Sequence, residues 1–522
     1  MADRPNVLFV ITDQQRADHT GFGGNAVVRT PHLDSIAARG TVFDRCFVAN
    51  PICMPNRASI LTGRVPSAHG VIFNDRSLAW GSNTFVRRLR EAGYRTGLLG
   101  KSHFQVGMSR DTQRRPKNGP VALDPYPEGW DTLEDPQRYL DGPVELPGDF
   151  YGFDTTEFVI DHGGVASGHH FQWALAKGAD RRTLLEGNQP DGVAEKRSKR
   201  WWQVFKPAFG EELYSTTFIT ERTIAFIESA QRERKPWFAW CSFPDPHHPL
   251  SPPGRFYEAH DPADMVVPHT FDDPLDTAPR FMRMLRGLEP TQDAKRYVNP
   301  WGPDREQTRE AIAATYGMIE MIDEGVGRIL AAIEAQGATR DTIVVFTSDH
   351  GDMMGDHGLI LKLFYHYQGC TRVPLVIADP RRAAGRTRSL ASSLDLAQTL
   401  LELCGLEPFA DMQGHSLAPL LDDARASVRS AVLIEDDFPM APPGGLLPQH
   451  GRTLITDEGR YTRYSTGEGQ LFDLQADPDE LRDLWDAPEG RDRRAHMAER
   501  LAAEMMAHAN LGRALRASEV GA

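Results

Sequence analysis

Cysteine is scarce in this 522-residue chain, and the five that occur, Cys46, Cys53, Cys241, Cys370 and Cys404, are odd in number and far apart. That excludes the disulfide framework that staples small secreted domains. No apolar run approaches the roughly 20 residues needed to cross a bilayer. The start, Met1-Ala2-Asp3-Arg4-Pro5-Asn6, leads straight into an apolar strand without a leader pattern. A reducing cytoplasm is therefore the expected compartment, with no membrane association. Lysine is also rare: of 58 basic residues, nine are lysine and 49 arginine. Against them stand 72 acidic residues, and the formal net charge of −14 speaks against a nucleic-acid partner. Two of the few lysines, Lys101 and Lys362, fall in the polar segments described next.

What is present is ordinary globular material: 40% hydrophobic and 25% charged residues over a length that supports one large core and a smaller one. Val7-Leu8-Phe9-Val10-Ile11 is a continuous apolar run of the kind found in a parallel strand covered on both faces. Strands are predicted over 41–48, 94–99, 237–243 and 343–347, and helices over 83–92, 215–232, 308–335 and 390–403. Strand and helix alternate to about residue 420, which predicts a doubly wound, mostly parallel α/β sheet. Four short runs after residue 430 read as antiparallel strands, and 491–507 as a closing helix. The expected division is a catalytic α/β domain, 1–425, and a C-terminal α+β subdomain, 426–522. Residues 108–210 are rich in glycine, proline and charge and read as long excursions.

Ligands in open α/β sheets bind beyond the carboxyl ends of the strands. Four apolar runs here end in polar groups: Asp13 and Gln14, then Lys101 and His103, then His247, then Asp349 and His350. Lys362 follows the last pair closely. Taken singly, each is as compatible with a cap, a turn or a solvated surface as with a site. Asn74 is divided evenly between a turn role and a contact to substrate.

The most informative stretch is Cys53-Met54-Pro55-Asn56-Arg57-Ala58-Ser59-Ile60-Leu61-Thr62-Gly63. Pro55 suits the first turn of a helix, which places Cys53 just ahead of the helix N-terminus, where free N–H groups favour negative charge. The spacing Cys-x-Pro-x-Arg before Ala-Ser-Ile-Leu-Thr-Gly resembles the sulfatase signature. Gly100-Lys101-Ser102-His103, Pro246-His247-His248-Pro249 and 362–374 resemble further motifs of that family, a branch of the alkaline phosphatase superfamily.

The resemblance implies a fold and a chemistry. It implies that Cys53 is oxidised by a formylglycine-generating enzyme to Cα-formylglycine, whose hydrate attacks the sulfur of a small sulfate ester. Asp13, Gln14, Asp349 and His350, with residue 53, would hold one divalent metal. Arg57, Lys101, His103, His247 and Lys362 would carry the catalytic charges and protons, and Asn74 would meet substrate. Gln14 and His350 stand where many sulfatases have an aspartate and an asparagine. An imidazole and an amide beside carboxylates suit Mn²⁺ better than Ca²⁺, which is the alternative. The same feature keeps a phosphonate monoester or phosphodiester hydrolase as a rival reading. A non-catalytic anion-binding protein with unmodified Cys53 is the third. A homo-oligomer is expected. The mass of the peptide containing Cys53 separates the third reading from the others: it is expected to be lighter than the thiol form, and a mass equal to the unmodified sequence would remove the nucleophile.

Overall fold

A computed structural model describes residues 4–106, 129–288, 300–438 and 447–509. Residues 108–128 of the expected excursion lie outside the described residues. Strands β1 (Asn6–Thr12), β2 (Thr41–Phe43), β3 (Arg95–Gly100), β4 (Thr155–Phe158), β5 (Trp237–Ser242), β6 (Thr342–Ser348), β7 (Leu375–Ala378) and β8 (Gly385–Thr387) form one sheet, in the order β8-β2-β7-β6-β1-β5-β3-β4. The pairs β6-β1, β1-β5, β5-β3 and β3-β4 are parallel. The antiparallel pairs both involve β7.

Strand β1 lies between two parallel neighbours, and all seven of its residues are buried. Its side chains alternate between faces, as the period-2 geometry of a strand requires. Val7, Phe9 and Ile11 join one core with helices α2 (Cys53–Thr62), α3 (Phe85–Glu91) and α6 (Leu396–Leu403). Leu8 and Val10 join the other, with α1 (Pro31–Ala37), α4 (Ser215–Glu233) and α5 (Arg305–Ala335). A strand buried on both sides has no polar face to show, which is why the run was continuous in sequence. Beyond this layer β9 (Ala431–Asp437), β10 (His450–Thr456), β11 (Arg460–Tyr464) and β12 (Gly469–Phe472) make an antiparallel sheet, with α7 (Arg491–Ala507) against it.

Four local expectations are corrected. Residues 41–48 hold two short strands, Thr41–Phe43 and Cys46–Phe47, which pair in different sheets. The helix expected from 390 starts at Leu396, because Ser392 and Asp395 cap each other's backbone and Asp395 is tied to Arg429. Helix α5 starts earlier than expected, at Arg305, behind a capping box made by Asp304 and Gln307. Most consequentially, β4 lies within the stretch read as excursion, where it extends the sheet beside β3. Three of its four residues are only half-buried, so it lacked the apolar signature of the inner strands.

The sheet also constrains single positions at its functional edge. Gly100 ends β3 with φ +111°, and a Cβ there would lie 1.9 Å from the carbonyl oxygen of Ser242. Both the left-handed backbone and the neighbouring strand demand glycine. Gly100→Ala is expected to lower stability by about 2–3 kcal/mol, read as a lower denaturation midpoint. An unchanged midpoint would contradict this packing.

Candidate active site

The carboxyl ends of β6, β1, β5 and β3 lie side by side along one sheet edge, and helix α2 brings Cys53 to them. Ile52 occupies the cap position, so Cys53 is the first residue of the helix rather than the one ahead of it. Cys53 and Arg57 are four residues apart and lie on one helical face. The helix entry is pinned from several sides. Met54 N–H donates to Asn74 Oδ1 at 3.1 Å, Ala49 N–H to Asn56 Oδ1 at 3.0 Å, and Asn56 Nδ2 to the carbonyl of Asp349 at 2.5 Å. Asn74 therefore serves as a cap for the helix that begins at Cys53.

Arg57 is fully buried and committed to the protein. Its Nε donates to Asp349 Oδ2 at 2.7 Å, its Nη1 to Ser242 Oγ at 2.8 Å and to the Lys101 carbonyl at 3.1 Å. Its Nη2 lies 3.5 Å from Asp13 Oδ2. The other oxygen of Asp349 accepts from Gln14 N–H at 3.1 Å. His350 Nδ1 donates to the Gly351 carbonyl at 2.9 Å. Its Nε2 thus presents a lone pair, 3.1 Å from Cys53 Sγ and 3.4 Å from Asp13 Oδ1. Gln14 is aimed in the same way: Nε2 donates to Asp352 Oδ2 at 2.6 Å, which turns Oε1 toward Lys362 Nζ at 2.8 Å.

One donor atom from each of Asp13, Cys53, Asp349 and His350 lies within 4.8 Å of the others, and all four residues are buried. Lys362 Nζ sits among Gln14 Oε1, His350 Nε2 at 2.9 Å and Cys53 Sγ at 3.3 Å. Oxygen, nitrogen and sulfur donors thus converge on a positive charge. The chemistry of this donor set fits a divalent cation.

Lys101 Nζ bonds Asp13 Oδ2 and meets His162 Nε2 at 2.5 Å. His162 stacks on His247 with ring centroids 4.0 Å apart, and Asp13, His162 and His247 form a second close group of donors. His103 is buried, with its Nδ1 unpartnered among the described residues. Its backbone N–H is anchored, with those of Phe104 and Gln105, on the carboxylate of Glu134.

The electrostatics follow from burial opposed by charge. Burial alone would push Asp13 up, but the Lys101 charge first, and that of Arg57 with it, hold it well below the ordinary carboxylate range. Burial, with the Lys101 charge second, pushes His103 well below the ordinary imidazole range. Burial, then His162 and His248, lowers His247 in the same way. His350 falls to about 4 through burial and the Lys362 charge. The Cys53 thiol rises to about 11, first through burial and then through the Asp13 carboxylate. A bare thiol here is protonated at neutral pH and is a poor nucleophile.

Of the residues expected from sequence, Asp13, Gln14, Cys53, Arg57, Lys101, His247, Asp349, His350 and Lys362 come together, His103 joins them beside Lys101, and Asn74 stands behind the helix entry. Sequence reasoning missed His162, Asn56 and Glu134. For His162 a signal existed: Asp161-His162-Gly163 just beyond a strand has the same form as Asp349-His350-Gly351.

The sulfatase family profile matches residues 5–406, and a profile for the C-terminal part of N-sulphoglucosamine sulphohydrolase matches 355–507. The chain belongs to the sulfatase family, within the alkaline phosphatase superfamily. It is similar to an arylsulfatase of Clostridium perfringens, 29% identical with 94% of this chain and 92% of that protein covered. It is also similar to a choline-sulfatase of Rhizobium meliloti, 27% identical over 93% of this chain and 83% of that protein. Among solved structures, a phosphonate monoester hydrolase of Agrobacterium radiobacter matches with a TM-score of 0.77 and 26% identity, covering 97% and 96% of the two chains.

His69, just past α2, offers a pH test of the scaffold. Val71 N–H donates to its Nδ1 at 3.1 Å, so the ring proton is on Nε2 and faces Ser59 Oγ at 3.0 Å. Burial lowers this imidazole to about 3. Unfolded, it takes a proton near pH 6.5, so its contribution is complete above that pH and is lost as pH falls. The slope is about 1.4 kcal/mol per pH unit for one such group. His69→Gln is expected to flatten the decline in unfolding free energy between pH 6.5 and 5, and an unchanged slope would refute the assignment.

Proposed function

We propose that the protein is a metal-dependent sulfuric ester hydrolase acting on small sulfate monoesters, aryl or alkyl, with residue 53 as nucleophile after conversion of Cys53 to formylglycine. The observation that carries this reading is the convergence of Asp13, Cys53, Asp349 and His350 within 4.8 Å, drawn from three parts of the chain. A divalent ion there would polarise the ester's oxygens, and the hydrated aldehyde at position 53 would supply the attacking hydroxyl.

The protein's own groups divide the remaining work. Arg57, with all three of its guanidinium nitrogens in contact with the protein, is a positioning residue that orients Asp349 and Asp13. Lys101 and Lys362 present ammonium groups to the oxyanions of the transferring group, and such preorganised charge is usually the largest catalytic contribution. His247 donates from Nδ1 to the His248 carbonyl, so Nε2, bare in the neutral ring, is the nitrogen that would have to take up a proton to serve the leaving oxygen, with Lys362 and His103 nearby. Two carboxylates, an imidazole and the amide oxygen of Gln14 favour Mn²⁺ over Ca²⁺. The division into 1–425 and 426–522, maturation by a formylglycine-generating enzyme, a cytoplasmic location and a homo-oligomeric state complete the proposal.

A second reading, phosphonate monoester or phosphodiester hydrolysis by the same machinery, is favoured by one observation. Gln14 Oε1 meets Lys362 Nζ and His350 Nε2 meets Cys53 Sγ, at positions where an all-carboxylate set would carry more negative charge. Nitrophenyl sulfate, a nitrophenyl phenylphosphonate and a nitrophenyl phosphodiester compared on one preparation decide between them. The sulfate is expected to have the highest kcat/KM. Chelation should abolish turnover, Mn²⁺ restoring it better than Ca²⁺, and Lys362→Ala should cost about 10²–10³-fold in kcat. Faster turnover of the phosphonate would transfer the assignment to the second reading.

A further inference from the structure

We propose that His162 is the residue that aims both the Lys101 ammonium and the His247 ring, an inference that rests on the hydrolase reading above. His162 lies four residues beyond the end of β4, is 5% exposed, and meets Lys101 Nζ at 2.5 Å. An ammonium has three N–H bonds and no lone pair, so it can only donate. His162 must therefore accept at Nε2, with its proton on Nδ1, the nitrogen that faces Asp161 Oδ1 at 3.7 Å. Lys101 gives a second N–H to Asp13 Oδ2. Two fixed bonds on a tetrahedral nitrogen set the direction of the third, and that one is left for an oxyanion.

The same ring holds His247. The two imidazoles stack at 4.0 Å and 23°, and His247 stacks in turn on His248 at 4.0 Å and 28°. With one face against each neighbour and Nδ1 bound to the His248 carbonyl at 2.5 Å, the His247 ring is not free to turn. One side chain thus sets a cation on the transferring group and an imidazole on the leaving group. The close group Asp13, His162 and His247 has the donor types of a second metal site. Lys101 already bridges two of its three members, so the lysine supplies the positive charge there.

The test uses metal-loaded protein with residue 53 converted. His162→Ala is expected to lower kcat on nitrophenyl sulfate by about 10–100-fold, as misplacement of catalytic groups does, with KM, thermal midpoint and metal content near wild type. His162→Asn, which keeps an acceptor, should recover part of the loss, whereas His162→Phe, which keeps only the stacking, should recover less. Imidazole ¹⁵N shifts, assigned by difference with His162→Asn, should show Nδ1 protonated and Nε2 bare, a readout that does not need turnover. Wild-type rates in His162→Ala, His162→Phe matching His162→Asn, or an Nε2–H tautomer would overturn the proposal. Two metal ions per wild-type chain and one in His162→Ala would overturn it too, by making His162 a ligand. A wild-type protein inactive on sulfate esters yet showing the Nδ1–H tautomer would sink the sulfatase reading and leave this geometry standing.

Discussion

Everything at the catalytic edge depends on a buried carboxylate kept ionised. Asp13 is removed from water, and desolvation by itself would protonate it. Lys101 and Arg57 reverse that, and their hold on it depends on β1 and β3 ending at the same level on either side of β5. Breaking one member of such a group leaves an uncompensated charge in a medium that cannot solvate it, which costs far more than a surface pair. The apolar strands and the polar edge are therefore one design: the sheet excludes water, and exclusion of water makes the fixed charges strong.

The second constraint is the placement of helix α2, which carries Cys53 at its first position. Its entry is held by Asn74 and Asn56 from within the α/β layer, and also from the antiparallel sheet. Asn50 Nδ2 donates to the Glu435 carbonyl at 2.5 Å, Glu435 N–H to the Ala49 carbonyl at 3.0 Å, and the Glu435 carboxylate accepts from Ser67. Phe438, at the end of that strand, packs edge-to-face on Phe73, the neighbour of Asn74. The C-terminal sheet thus takes part in fixing residue 53 as well as in covering the core.

The histidines around Asp13 separate this site from a plain carboxylate cage. Burial lowers His247, His248 and His103 below the ordinary imidazole range, so they pack as neutral rings and can stack. Neutral rings donate at one nitrogen and accept at the other. His350 is oriented by the Gly351 carbonyl, His247 by the His248 carbonyl and His248 by the side-chain amide of Gln14.

Sequence alone carried a large share of this. The inner strands announced themselves because a strand buried on both faces must be apolar throughout, and the Cys53 stretch and the polar strand ends marked the chemistry. Gly100 and Gly351 sit where strand and loop pass too close for a side chain, and Gly351 lies 2.0 Å, measured from a would-be Cβ, from the Gly369 carbonyl. What only the tertiary structure decided was company and direction. Edge strand β4 has no two-sided burial to write an apolar run, so it and His162 were hidden in a stretch that read as loop. Whether Arg57 faces substrate or holds carboxylates, and whether the oxygen or the nitrogen of the Gln14 amide points inward, depends on partners hundreds of residues away. Hydrogen-bond direction is a property of the pair, and a linear sequence records the residues without saying which will meet.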